Sequence, residues 1–169
     1  MKQNFFIMYF LIVCAQLLIC NYFHVSAYIA LSIMPAAVMC IPTRIGTIGA
    51  MFIAFLTGLV IDFLAEGLIG LNALALVPVA ASRRFICDGI FGQELSSLGE
   101  DISMRKYGSG KVAFALLIEQ SIFLAIYILA DGGSARPWAF NLIRFACSLI
   151  CGILLSLVVI NMLDPNERK

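Results

Sequence analysis

Apolar residues fall into six long runs separated by short polar segments. The runs cover about residues 5–20, 28–41, 45–65, 68–81, 112–130 and 139–163. Since a helix needs about 20 residues to cross a bilayer, the first, third, fifth and sixth runs are long enough to cross. The second and fourth runs are shorter, and Pro35 and Pro78 predict kinks within them. The pattern predicts an all-α membrane protein with about six transmembrane helices. Four helices with two re-entrant segments are the alternative.

Composition supports lipid as the solvent of this chain. Hydrophobic residues make up 62% of the 169 residues, charged residues only 12%, and the mean hydropathy is +1.01. Soluble domains carry about 25% charged residues. The length allows one polytopic domain over residues 1–169. Lys2, the first run and Val25-Ser26-Ala27 resemble a signal peptide, but the run is long for one, so we interpret it as an uncleaved first helix.

Basic residues predict the orientation, because they collect on the cytoplasmic side of membrane proteins. With six crossings and a cytoplasmic N-terminus, nine of the eleven basic residues lie inside, Arg136 lies outside, and Arg144 lies within the sixth run. The nine are Lys2, Arg44, Arg83, Arg84, Arg105, Lys106, Lys111, Arg168 and Lys169. We therefore expect a multi-pass protein of the cytoplasmic (inner) membrane with both termini in the cytoplasm.

The longest polar stretch, residues 83–111, is then a cytoplasmic loop. Its mixed charge argues against nucleic-acid binding. Arg83, Arg84, Arg105 and Lys106 either anchor a simple connector or form a docking surface for a cytoplasmic partner. The apolar residues between 85 and 91 suggest a short helix along the lipid headgroups.

The cysteines do not predict a metal or redox site. The chain has six cysteines and one histidine, His24, and no two cysteines form a CxxC pair. Cys147 and Cys151 share a helix face, but partner ligands are lacking. We interpret the cysteines as small packing residues and expect neither a metal nor a cofactor.

A row of small residues marks the third run. Gly46, Ala50, Ala54 and Gly58 recur every four residues, so they share one face of a helix. Small residues in line allow another helix to approach closely in lipid. The row predicts a packing ridge, formed with a helix of this chain or of a partner.

Three charged residues lie within apolar runs, where charge is expensive. Asp62 and Arg144 lie at similar depth in the outer half, and we predict that they pair, directly or through Asn72 or water. Glu119 has no evident basic partner; Gln120 and Ser121 beside it are candidate hydrogen-bond donors.

The stretch after the ridge carries a family resemblance. Gly58-Leu-Val-Ile-Asp62 ends one helix, and Gly70-Leu-Asn-Ala73-Leu74 opens the next. This pattern resembles the signature region of MreD, the bacterial rod-shape protein family. Chain length, the predicted spans, the basic loop, and Arg144 followed by Ser148 agree with it. The turn at residues 65–69 departs from the family, and the chain lacks the histidine pair that some members carry near Glu119.

The resemblance implies a non-enzymatic scaffold of the cell-elongation machinery, which builds peptidoglycan. Such a protein binds membrane lipids and MreC, and links cytoskeletal MreB to cell-wall synthases, namely RodA and a class B penicillin-binding transpeptidase. The family fold is similar to the substrate-binding subunit of energy-coupling-factor transporters.

Two rival functions stay open at this point. A vitamin-binding transporter subunit needs an outward polar pocket, for which Asn72, Trp138 and Asn141 are the best candidates. A membrane enzyme would use Asp62 and Asp131 as a carboxylate pair. However, Gly132-Gly133-Ser134 predicts a solvated turn after Asp131, and the HExxH and GxSxG patterns are absent. We therefore predict no catalytic residue.

Overall fold

The structure is a computed structural model that describes residues 5–22, 29–92, 107–132 and 135–163. Within these ranges the chain forms α-helices, one π-helical turn at Asp62–Glu66 and no strand. The helices are α1 (Phe5–Tyr22), α2 (Met34–Met39), α3 (Thr47–Ile61), α4 (Leu71–Phe91), α5 (Ser109–Ala130) and α6 (Trp138–Leu163).

Three helical stretches of the described chain are long and apolar enough to cross a membrane. They are Thr47–Ala65, Ser109–Ala130 and Trp138–Asn161, and Phe6–Tyr22 is a shorter apolar helix. Helix α4 has 21 residues, but Arg83, Arg84 and Asp88 lie in its second half. The chain is therefore a membrane-embedded helical protein.

Helices α3 to α6 alternate in direction and pack side by side. The turn between α3 and α4, residues 62–70, and the connection between α5 and α6, residues 131–137, lie at one end of the bundle, which we call the hairpin end. The other end, which we call the basic end, holds the start of α3 and the close of α4, where Phe91 contacts Tyr107 edge to face at 5.1 Å. The core lies between the helices and includes the fully buried Leu76 and Phe123.

Helix α1 is tied to the bundle by two polar contacts. The Tyr9 hydroxyl lies 3.1 Å from the Thr57 hydroxyl, one turn before the hairpin end of α3. Seven residues later, Gln16 contacts Leu31 and Ile33 in the middle of the bundle. These contacts hold α1 against α3 and against the non-helical residues 31–33.

The second apolar run is less helical than the pattern predicts. Residues 29–33 are not helical, and α2 has only six residues, all of them buried. Pro35 lies in the first turn of α2, where its missing N–H does no harm, but it prevents the helix from extending backwards. Further along the chain, Ala36 and Met39 pack against Val112 and Ile160 near the basic end. Segment 29–41 therefore runs from the middle of the bundle to the basic end.

The fourth run forms a longer helix than the pattern predicts. Helix α4 continues through Arg83 and Arg84 to Phe91 with Pro78 inside it, so residues 85–91 prolong α4 and form no separate interfacial helix. The other basic residues assigned to the loop, Arg105 and Lys106, lie outside the described residues.

Candidate functional site

The carboxylate of Asp62 caps helix α4 from the end of α3. Asp62 is fully buried and accepts hydrogen bonds from the backbone N–H groups of Gly70 (2.9 Å), Asn72 (2.9 Å) and Ala73 (3.3 Å), and from the Asn72 side chain (3.0 Å). The first N–H groups of a helix lack intrahelical partners and attract negative charge. Asp62 therefore satisfies this helix end without any basic side chain.

The backbone of the turn brings Asp62 into that position. The Gly67 N–H donates to the Asp62 carbonyl at 3.0 Å and closes the π-helical turn. Gly67 and Gly70 have φ of 70° and 101°, a left-handed conformation that residues with a Cβ rarely adopt. The two glycines fold the chain back so that α4 begins beside the carboxylate.

The predicted pair of Asp62 with Arg144 does not form. Arg144 donates instead to the carboxylate of Asp131 at 2.6 Å, and Arg136 donates to the same oxygen at 3.1 Å. The Arg144 guanidinium also lies 5.9 Å from the centre of the Tyr127 ring. The predicted pairing was wrong because it used only the depth of each residue in the membrane. Depth alone does not determine which face of a helix a residue occupies. Asp131 is likewise a bonded residue, although the sequence predicted a plain solvated loop.

The small-residue ridge packs within the chain. Ala50, Ala54 and Gly58 are buried, whereas Gly46 is exposed at the start of α3. A Cβ atom on Gly58 would overlap the backbone of Ala73 in α4. The ridge therefore seats α4 against α3, and three of its four residues are unavailable to a partner protein.

The non-helical residues 29–33 are held by a polar clamp, which consists of Gln16, Gln120 and Ser148. Gln16 accepts from the Ile33 N–H at 2.9 Å and donates to the Leu31 carbonyl at 3.1 Å. Ser148 accepts from the Ala30 N–H at 2.8 Å, and Gln120 donates to the Ser32 carbonyl at 3.3 Å. Non-helical backbone at membrane depth is tolerated only where such partners exist. Side chains from three helices thus replace the missing helical bonds.

Glu119 is fully buried, and neither of its carboxylate oxygens has a hydrogen-bond partner among the described residues. The predicted donors beside it are used elsewhere, since Ser121 donates to the Leu117 carbonyl and Gln120 to Ser32. The charged group that acts on Glu119 is Arg83, which the sequence analysis did not identify as a partner. Arg83 is itself buried and donates to the carbonyl of Ile41 at the end of segment 29–41.

A half-open cavity of about 140 Å³ lies at the basic end, between the start of α3 and the second half of α4. Its lining residues are Thr43, Ile45, Gly46, Thr47, Ala80, Arg83, Arg84 and Cys87. Of the side chains proposed for an outward vitamin pocket, Asn72 is buried and bonded to Asp62, and Trp138 is exposed.

Sequence reasoning missed the polar clamp and the Arg83 neighbourhood. One signal was present: Gln16 and Gln120 are uncharged polar residues inside apolar runs, where each needs a hydrogen-bond partner. Comparison with family models, with curated proteins and with solved structures finds no match to this chain.

Proposed function

We propose that this chain is a non-enzymatic membrane scaffold of the bacterial cell-elongation machinery, as its resemblance to the MreD family implies. The observation that carries the proposal is the α3–α4 hairpin. Gly58 packs on Ala73, and Asp62 bonds Gly70 and Ala73, so the four residues of the resemblance act as one unit. Because these four residues contact one another, a structural motif is favoured over a chance run of small residues.

The contacts of the embedded charged residues support a binding role over a catalytic one. Asp62 caps a helix, and Asp131 neutralises Arg144 and Arg136. The carboxylate pair that an enzyme would need is thus committed to two separate structural tasks. We propose that the chain acts by contacts with MreC, MreB, RodA, the class B transpeptidase and lipids.

We further propose that the basic end faces the cytoplasm and that the protein lies in the inner membrane. Arg44, Arg83, Arg84 and Lys111 all belong to the basic end, and the positive-inside rule favours that side. In this orientation α6 ends on the cytoplasmic side, and we propose that both termini are cytoplasmic, as the placement of the basic residues predicts.

Partner contacts are best sought on the exposed apolar faces of α3 and α6. Phe52 on α3 and Ile150 on α6 are more than half exposed, whereas Ala54 is fully buried against the chain itself. Exposed positions face either lipid or another membrane protein, so a crosslinker placed there reaches a partner if one is bound. Position 54 supplies the matched buried control.

The test is photo-crosslinking in intact bacterial membranes with a photoreactive amino acid at Phe52, Ile150 or Ala54. We expect capture of MreC or an elongation synthase from at least one exposed position and none from Ala54, read by mass spectrometry of the adducts. Recovery of no elongation component from either exposed position would contradict the scaffold. A vitamin that raises the Tm of the purified protein would instead support the transporter-subunit alternative.

A further inference from the structure

We propose that the cavity at the basic end binds a phosphate group. The proposal goes beyond the scaffold function and does not depend on it. The cavity lies where the start of α3 meets the buried arginine of α4, so that the first residues of α3 and Arg83 line one space. Its volume of about 140 Å³ exceeds the space that a water molecule requires.

The first contribution comes from the N-terminus of α3, a helix of 15 residues. The N-cap residue is Gly46, which has no side chain to bond the first N–H groups. Gly46 and Thr47 both line the cavity. Open N–H groups at the positive end of a helix dipole form a favourable site for a phosphate group.

The second contribution comes from Arg83, which is only 6% exposed and also lines the cavity. One terminal nitrogen of its guanidinium donates to the Ile41 carbonyl, but Nε has no hydrogen-bond partner. Nε has almost no accessible surface, so it is the positive charge of the guanidinium, held beside the cavity by the bond to Ile41, that attracts an anion. Arginine is also the side chain whose geometry best matches phosphate oxygens.

The remaining charges set the balance at this site. Arg84 lines the cavity with a side chain that is 69% exposed, and its Nε lies 3.8 Å from the carboxylate of Asp88. Glu119 acts on Arg83 from the core side. Two arginines and a helix N-terminus therefore face the cavity, against one acidic side chain at the surface and one in the core.

The phosphate group has two possible sources, a lipid headgroup or free phosphate. Ile48 and Phe85, close to the cavity along the chain, are both more than 80% exposed apolar side chains. In a bilayer such residues would lie against lipid, which places the cavity within reach of headgroups. The chemistry of recognition is the same for either source, and the experiment must separate them.

The test uses the full-length purified protein in detergent and in lipid nanodiscs. Inorganic phosphate is titrated into the detergent sample and followed by the shift in Tm, while native mass spectrometry measures retained phosphatidic acid against phosphatidylcholine. Stabilisation by inorganic phosphate assigns free phosphate, and selective retention of phosphatidic acid alone assigns a headgroup. Absence of both responses would overturn the proposal.

The decisive variant is Gly46→Asp. A Cβ at Gly46 meets no atom within 4 Å, and aspartate is a good N-cap residue, so the side chain should occupy the open N–H groups and repel phosphate. We expect at least a 10-fold weaker response to the phosphate probe together with an unchanged or higher Tm. Gly46→Ala adds the Cβ without the charge and should bind the probe as the parent protein does.

A second variant tests the same helix N-terminus if Gly46→Asp fails to fold. Thr47→Pro removes one N–H at the first position of α3, where proline fits a helix. This variant should bind the probe several-fold more weakly while keeping its helical content. Unchanged binding in either folded variant would show that the α3 N-terminus does not hold the anion.

Discussion

At the scale of single residues, the embedded charges and glycines of this chain act through specific short contacts. Asp62 accepts four hydrogen bonds from the start of α4, and Asp131 holds two arginines. Gly58 lets the α4 backbone approach α3. These contacts make the residues sensitive to small changes, in ways that can be compared with matched controls.

Asp62 and Arg144 should behave as independent residues. Asp62→Ala leaves buried N–H groups without an acceptor, so we expect a loss of about 2–4 kcal/mol in the free energy of unfolding. Adding Arg144→Ala should give a loss that is additive within about 0.5 kcal/mol. By contrast, Asp131→Ala and Arg144→Ala should be coupled by about 0.5–3 kcal/mol, because the two side chains share an ion pair.

Unfolding of the purified single and double variants in detergent would measure both cycles. A coupling energy between Asp62 and Arg144 as large as that between Asp131 and Arg144 would contradict the described geometry. The same data test Asp131, which the sequence pattern placed beside a solvated turn.

Gly58→Ala should destabilise the protein by about 1–3 kcal/mol, because the added methyl group overlaps the Ala73 backbone, which cannot move alone. The control is Gly89→Ala in α4, where a Cβ meets no atom within 4 Å and alanine favours the helix. That variant should be neutral or slightly stabilising. Equal Tm values for the two variants would argue against close packing of α3 on α4.

The sequence pattern predicted which small residues share a buried face better than it predicted the partners of the charged residues. Four-residue spacing was enough to place Ala50, Ala54 and Gly58 on one buried face. It was not enough to connect Asp62 with Asn72 or Arg144 with Asp131, because hydrogen-bond partners depend on how the helices rotate about their axes. The rotation of each helix about its axis depends on how the helices pack, and the spacing of apolar residues along one chain does not specify that packing.

At the scale of elements, the unusual feature is segment 29–41. Its residues 29–33 lie within the bundle without helical hydrogen bonds. The polar clamp supplies the missing partners from α1, α5 and α6. Run length predicted a problem here, since about 14 residues are short for a crossing. Which of the two short runs was irregular could not be predicted, because α4 is completed by residues 82–91, which look polar in sequence.

Gln16→Leu should test the clamp. The variant is apolar and fits a membrane helix, but it leaves the Ile33 N–H and the Leu31 carbonyl without partners, at about 1–3 kcal/mol for each buried group. The control is Asn21→Leu, since Asn21 is exposed and bonds only within α1. We expect a clear fall in Tm for Gln16→Leu and almost none for Asn21→Leu. Equal values would show that residues 29–33 do not depend on the clamp.

At the scale of the whole molecule, the distribution of basic residues decides how the bundle is placed in the membrane. Arg44, Arg83 and Arg84 gather at one end, as the charge pattern predicts. The same pattern did not show that segment 29–41 is only partly helical, because charges outside an apolar run carry no information about the backbone within it.

Reporter fusions at the two termini should give the same result. We expect cytoplasmic activity from fusions at both ends, because Lys2, Arg168 and Lys169 are basic, and periplasmic activity from a fusion at Arg136. Opposite results at the two termini would mean an odd number of crossings and would contradict the proposed topology.

The Asp62 cap has a consequence for biosynthesis. Released sideways from the translocon by itself, α3 would bring the Asp62 carboxyl group into lipid with nothing to bind it, whereas the start of α4 carries all of its donors. We therefore expect the two helices to leave the translocon together as a preformed pair. Truncation of the nascent chain just after residue 66 should then hold α3 back from the lipid phase, and extension past Ala73 should release it.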